Sequence, residues 1–193
     1  MNTWMALTDW LSTWSVIKAA GLTSYLFMFI SVVLGAFSYG AAISPNVRKI
    51  TLPVHQWTGW FGFLFGLLHG AVLMIDGYQP FEPEEVLIPF ASEFHPATVG
   101  LGTLALYIMA AILASSDIMK KLGKKIWKSI HLFSYPMFLF VLIHGVTDGS
   151  DTEQPWAFLL YFCSGFIFAA VFLIRMYLQW KKGGHVENLA RGR

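Results

Sequence analysis

Four histidines fall as two pairs inside apolar stretches: His55 and His69 in LPVHQWTGWFGFLFGLLHGAVLMI (52–75), and His131 and His144 in WKSIHLFSYPMFLFVLIHGVTDG (127–149). An imidazole inside a bilayer costs free energy unless it has a partner, so each needs a reason. At about 1.5 Å of rise per residue, the members of each pair lie roughly 20 Å apart along a helix. Each stretch therefore offers one nitrogen ligand near either membrane face. Matching depths pair His55 with His131 near the cytoplasmic side and His69 with His144 near the outer side. Two imidazoles facing one another can hold a haem iron through their neutral nitrogens, and helix bundles commonly host such cofactors between facing side chains. A lone intramembrane histidine is more often a hydrogen-bonded core group or a proton-pathway residue. Two pairs at matched depths favour two stacked haems.

At about 100° per residue, His69 returns to within about 40° of His55, and Gly59, Gly62 and Gly66 share that stripe. Such a smooth face admits either something flat or another backbone. The second stretch is less regular. Thirteen residues amount to about 220° beyond whole turns, so His131 and His144 would not share a face on an ideal helix. Pro136 between them can bend the helix, or the two haems can meet it from different sides.

The elements that must position these groups are helices. The chain has 193 residues, 56% hydrophobic, 17% aromatic and 12% charged, whereas soluble domains carry about a quarter charged residues. Five apolar stretches, 19–43, 53–76, 97–115, 127–147 and 155–179, approach the roughly 20 residues that cross a bilayer. The runs are continuous, which excludes an outer-membrane barrel. The fold class expected is all-α, an integral membrane bundle of five transmembrane helices plus an N-terminal interfacial helix. Residues 1–18, with Trp4, Trp10 and Trp14, form that amphipathic helix and do not read as a cleavable signal peptide. Residues 19–180 form the bundle, and 181–193 a tail too short for a second domain. The single cysteine, Cys163, excludes an intramolecular disulfide and reads as a small buried apolar residue.

Charge sets the orientation. Arg48 and Lys49 follow the first span, Lys120, Lys121, Lys124, Lys125 and Lys128 follow the third, and the tail is basic. The other connections carry Glu82, Glu84, Glu85, Glu93, Asp148, Asp151 and Glu153. Placing the basic connections in the cytoplasm leaves only Lys18 of the thirteen Lys and Arg outside, as the positive-inside bias requires. The N-terminus is then outside, the C-terminus cytoplasmic, and the location the cell (inner or plasma) membrane. No glycine-rich nucleotide fingerprint follows a strand, so electrons must come from another protein or molecule.

The spacing of His55 and His69, together with LGKKIWKSIHLFSYPMFLFVLIHG, resembles the ferric reductase-like transmembrane domain over roughly residues 19–179. The run Leu122, Gly123, Trp127, His131 and Tyr135 is its most specific part. That family includes the membrane portion of NADPH oxidases and metalloreductases, and the haem subunit serving a periplasmic methionine sulfoxide reductase. The resemblance implies transmembrane electron transfer through two b-type haems, ligated by the four matching histidines. It departs from members that carry a cytoplasmic FAD and NADPH module or six spans, and looks most like the short bacterial ones. The expected donor is a separate flavoprotein or a quinol. The expected acceptor is ferric iron first, then oxygen or a partner reductase. The alternative is a non-catalytic haem-binding anchor or assembly subunit.

Membrane lipid is the remaining expected partner, and nothing points to nucleic acid. His95 and His185 read as solvated loop and tail residues, though His95 with Glu93 could touch a metal substrate. The outer carboxylates either steer cations or reflect exclusion of basic residues. Arg48, Lys49 and Lys128 either anchor the chain at the membrane surface or pair with haem propionates. The lysine cluster suits anionic lipid or an acidic flavoprotein. Arg175 is expected to snorkel, and Trp57, Trp60, Phe61, Phe133 and Phe138 to pack.

Overall fold

A computed structural model of the chain describes residues 12–38, 44–77 and 81–191, with side chains through residue 181. All regular structure among these residues is helical: α1 (Thr13–Ser38), α2 (Pro45–Leu73), α3 (Pro83–Leu87), α4 (Pro96–Asp117), α5 (Met119–Leu122), α6 (Lys124–His131), α7 (Ser134–Asp148) and α8 (Pro155–Arg191). Most of the interfacial helix expected over 1–18 lies outside the described residues, and Thr13 to Lys18 are already the first turns of α1.

Local chemistry explains the boundaries. The Ser44 hydroxyl accepts the Val47 N–H at 3.4 Å, and Pro45, which has no N–H to satisfy, opens α2. Arg48 and Lys49, expected in a loop, therefore sit in the first turns of that helix. Proline also opens α3, α4 and α8. Gly123 separates α5 from α6 with φ 82° and ψ 150°, a conformation almost closed to residues with a Cβ. It turns the chain so that Trp127 and His131 face inward. Gly123→Ala will destabilise the fold by about 1–3 kcal/mol, read as a lower midpoint in thermal unfolding of the detergent-solubilised chain.

Among the described residues, four stretches are long and apolar enough to cross a membrane: α1, α4, the 25-residue stretch Lys124–Asp148, and Pro155–Lys181 of α8. The chain is thus a multi-pass membrane protein of helical class. The fifth expected span corresponds to α2, whose 29 residues suffice in length. Its histidines, glutamine, tryptophans and glycines dilute its apolar character below that of the other four. The apolar window of α8 is only 11% buried within the protein. Phe158, Phe162, Phe166 and Leu173 point outward, where lipid rather than water suits them. Cys163 is also exposed on this helix, not buried as expected.

The most extensive helix pair is α1 with α2, followed by α4 with α7. Serines seven residues apart on α1 stitch the first pair. Ser24 Oγ donates to the Gly62 carbonyl at 2.7 Å, Ser31 Oγ to the His55 carbonyl at 3.0 Å, and Ser38 Oγ to Thr51 Oγ1 at 2.9 Å. The glycine stripe of α2 faces these serines. A Cβ on Gly62 would lie 2.9 Å from Met28 Cγ and 3.3 Å from the Met28 backbone nitrogen. Of the two occupants the smooth face could take, it takes a helix backbone.

The core lies between the levels of the two histidine pairs: Tyr25, Met28 and Val32 of α1, Ala105 and Met109 of α4, and Met137 and Phe138 of α7. The Tyr25 hydroxyl hydrogen-bonds Ser164 Oγ on α8, which satisfies both buried groups. At the end of the bundle that carries the acidic connections, Lys18 Nζ meets Asp151 at 2.8 Å, which gives this lysine a local partner. The loop between α2 and α4 is organised by Glu85. Its carboxylate accepts the backbone N–H groups of Glu82 and Glu93 and the Ser92 hydroxyl. Those bonds hold it below the usual glutamate range.

Candidate haem-binding site

His55 and His69 project from α2, His131 ends α6, and His144 lies in α7. The expected pairs are brought together. Ring centroids of His55 and His131 are 5.9 Å apart, and those of His69 and His144 are 6.3 Å apart, each with 72° between ring planes. Two imidazoles sharing one metal at about 2.0–2.1 Å from each nitrogen would have centroids about 6.3 Å apart. The spacing at both levels suits one ion between each pair.

The angular mismatch of His131 and His144 is resolved by a break. Helix α6 ends at His131, Leu132 and Phe133 form a turn, and α7 begins at Ser134. The Phe133 N–H reaches only to the Ile130 carbonyl, which tightens the backbone there. Pro136 then falls in the first turn of α7, where an N–H would have no helical acceptor. The proline starts the second helix, and the break re-aims His144 relative to His131.

The imidazoles are oriented by what lies behind them. His55 Nδ1 is 2.8 Å from the Ser31 carbonyl, His69 Nδ1 is 3.0 Å from the Ile17 carbonyl, and His144 Nδ1 is 3.0 Å from the Thr98 carbonyl. A carbonyl can only accept, so each Nδ1 carries the proton and Nε2 keeps the lone pair a metal needs. Nε2 of these three makes no hydrogen bond to a described residue. His131 differs: its buried Nδ1 has no hydrogen-bond partner among the described residues, and its ring instead leans on Trp127 at 5.0 Å. Trp127 is itself fixed by donating Nε1–H to Ser116 Oγ at 3.2 Å.

Glycines seat three of the rings. A Cβ on Gly35 would lie 2.8 Å from Cε1 of His55, on Gly21 3.0 Å from Nδ1 of His69, and on Gly102 3.2 Å from the ring of His144. Gly21 and Gly35 are fourteen residues apart on α1, the same interval as the histidines they face. The histidine-bearing helices α2 and α7 share little direct packing, each leaning instead on α1 or α4. A cavity of about 630 Å³ borders His55 and His131, lined also by Trp60, Leu64, Met109 and Tyr135. That volume is in the range of cofactor pockets, about 300–1,000 Å³, and its lining is mostly apolar, as a porphyrin requires.

Among the described residues, no three His, Cys, Asp or Glu side chains gather to hold a bare ion. Two axial nitrogens suffice where a porphyrin supplies the rest, so the donor set fits haem better than an isolated metal. His95 has a partner after all: Asp148, 2.9 Å from its Nδ1. Arg175 donates to the Ala36 carbonyl at 3.2 Å, which turns it toward α1. His185 lies outside the residues with described side chains. Ser31, Thr98, Gly21, Gly35 and Gly102 were not singled out by sequence reasoning. The matching intervals of histidine and glycine were the available signal.

Residues 20–142 match the family described as the ferric reductase-like transmembrane component, a stretch that includes His55, His69 and His131 and stops just short of His144. The protein-methionine-sulfoxide reductase heme-binding subunit MsrQ of Herminiimonas arsenicoxydans is 30% identical over 158 residues, spanning 77% of this chain and 68% of that protein. No solved structure matches the chain significantly.

Proposed function

This chain belongs to the ferric reductase-like transmembrane family, and from that premise we propose that it passes single electrons across a membrane through two b-type haems. His55 and His131 hold the inner haem, and His69 and His144 the outer one. The observation that carries this reading is the pairing itself: two facing imidazole pairs at ligand spacing, three of the four rings with Nδ1 committed to a carbonyl. Bound haem supplies an iron centre that changes valence by one electron. The chain contributes fixed nitrogens, an apolar surround and the separation of the two levels.

In this reading α2 is the fifth span, because its two imidazoles face ligand sites rather than lipid. The bundle opens with α1 at Thr13, so of the surface segment expected over 1–18 only the part before Thr13 is assigned to the membrane surface outside; the bundle runs to residue 180, and 181–193 lie in the cytoplasm of a cell (inner or plasma) membrane. A flavoprotein or a quinol gives electrons on the cytoplasmic side. The relative's description as a heme-binding subunit of a methionine-sulfoxide reductase favours a partner reductase as the outer acceptor, ahead of ferric iron or oxygen. The same description supports a second reading, a haem-binding subunit that assembles with its partner without conducting.

Sealed vesicles separate the two. Vesicles carrying the haem-loaded chain, with a ferric chelate trapped inside and a membrane-impermeant reductant outside, are expected to reduce the chelate faster than chain-free vesicles. Equal rates, with haem reducible in detergent, would contradict conduction and leave the subunit reading.

A further inference from the structure

His144 is the one ligand candidate whose Nδ1 meets a carboxylate as well as a carbonyl. Asp148 Oδ2 lies 3.1 Å from it, one helical turn on, while the Thr98 carbonyl is 3.0 Å away. The carboxylate is not there by default. Asp148 is the last residue of α7, where the helix dipole disfavours a negative charge, and its side chain is only 10% exposed. It is held by three donors: Thr98 Oγ1 at 2.9 Å and His95 Nδ1 at 2.9 Å on Oδ1, and His144 on Oδ2. His95 is fixed in its turn. It adopts φ 48°, stacks on Phe94 at a ring distance of 4.2 Å and leads into Pro96. Thr98 serves twice, its hydroxyl steadying the carboxylate and its carbonyl accepting from the imidazole.

We propose that Asp148 is a positioning residue for the outer haem, accepting the Nδ1–H of His144 so that this ligand is more electron-rich than the other three and the outer iron is held at a lower reduction potential. A carboxylate behind an axial imidazole raises the basicity of the metal-bound nitrogen, and that favours the oxidised iron. In this place His69 has only a neutral carbonyl and His55 a neutral carbonyl and the neutral Ser31 hydroxyl, and His131 Nδ1 has no hydrogen-bond partner among the described residues. The effect is therefore confined to the outer site. His95 and Thr98 keep the carboxylate from turning to solvent, which gives the loop before α4 a part in setting the potential.

The inference rests on His144 being an outer-haem ligand, and the test keeps the two apart. Redox titration of the full haem-loaded chain, followed by its visible spectrum, is compared for wild type, Asp148→Asn and Asp148→Glu. With Asn the outer haem is expected to shift upward, its reduced-to-oxidised ratio at fixed potential rising about tenfold, or about 59 mV for one electron. The inner haem stays where it was. With Glu, which keeps the charge, the outer potential returns most of the way. Loss of the outer haem in Asn with retention in Glu also supports the proposal, since the charge is then needed even for loading. Unmoved potentials in Asn, or equal shifts or equal loss in Asn and Glu, would overturn it. A wild-type chain from which His144→Ala removes no haem would instead overturn the ligand assignment.

Discussion

Replacing either outer histidine, His69→Ala or His144→Ala, will leave a chain that keeps the inner haem, loses the outer one and no longer passes electrons across the membrane. His69 and His144 stand on different helices, and their rings are 6.3 Å apart. Removing one imidazole therefore leaves its partner nothing to share an ion with. The inner pair draws on His55 and His131 and on a separate backing of Ser31, Gly35 and Trp127, so it is untouched. Haem measured per chain should fall by half for either variant, and the ferric chelate in sealed vesicles should remain oxidised. Retention of both haems in both variants would refute the pairing.

The second large effect comes from a residue with no chemistry of its own. An added methyl at Gly35 would stand 2.8 Å from Cε1 and 3.0 Å from Nδ1 of His55, closer than carbon atoms tolerate. The ring cannot retreat without giving up the Ser31 carbonyl at 2.8 Å. Gly35→Ala is therefore expected to weaken inner-haem retention by about 10- to 100-fold, the usual scale for disturbing the groups that orient a ligand, and to leave the outer haem in place. Gly59→Ala is the control. Its Cβ would meet Ser31 Oγ at 3.4 Å and nothing nearer, so both haems should stay. Equal haem content in Gly35→Ala and wild type would contradict the account of this seat.

The sequence stated the pairing of the four histidines because depth along a helix is nearly linear in residue number, and apolar stretches make depth meaningful. Orientation around the axis was harder to read. His131 and His144 share a stretch in sequence but not a helix in space, since the turn at Leu132 and Phe133 intervenes. Pro136 marked the neighbourhood of that break while leaving its place open, because a proline in a first turn and a proline at a kink look alike in sequence. Helix α2 shows the opposite case. The polar content that makes it informative also makes it less apolar than the four stretches that qualify by hydropathy, so it falls outside them.

The groups behind the four histidines were legible only as intervals. Ser24, Ser31 and Ser38 recur every seven residues on α1, and Gly21 and Gly35 repeat the spacing of His55 and His69. Once α1 is known to lie against α2, that coincidence becomes the reason the rings fit. Before that it is indistinguishable from the small-residue content common in membrane helices. Asp148 and His95 needed the fold altogether, because fifty-three residues of chain separate them.

Two haems on two histidine pairs are read out by a reduced-minus-oxidised spectrum of the purified chain, expressed with ample haem supply and with haem quantified per polypeptide. A b-type spectrum and a ratio near two are expected. A ratio near one, or no haem at all, would contradict this pairing.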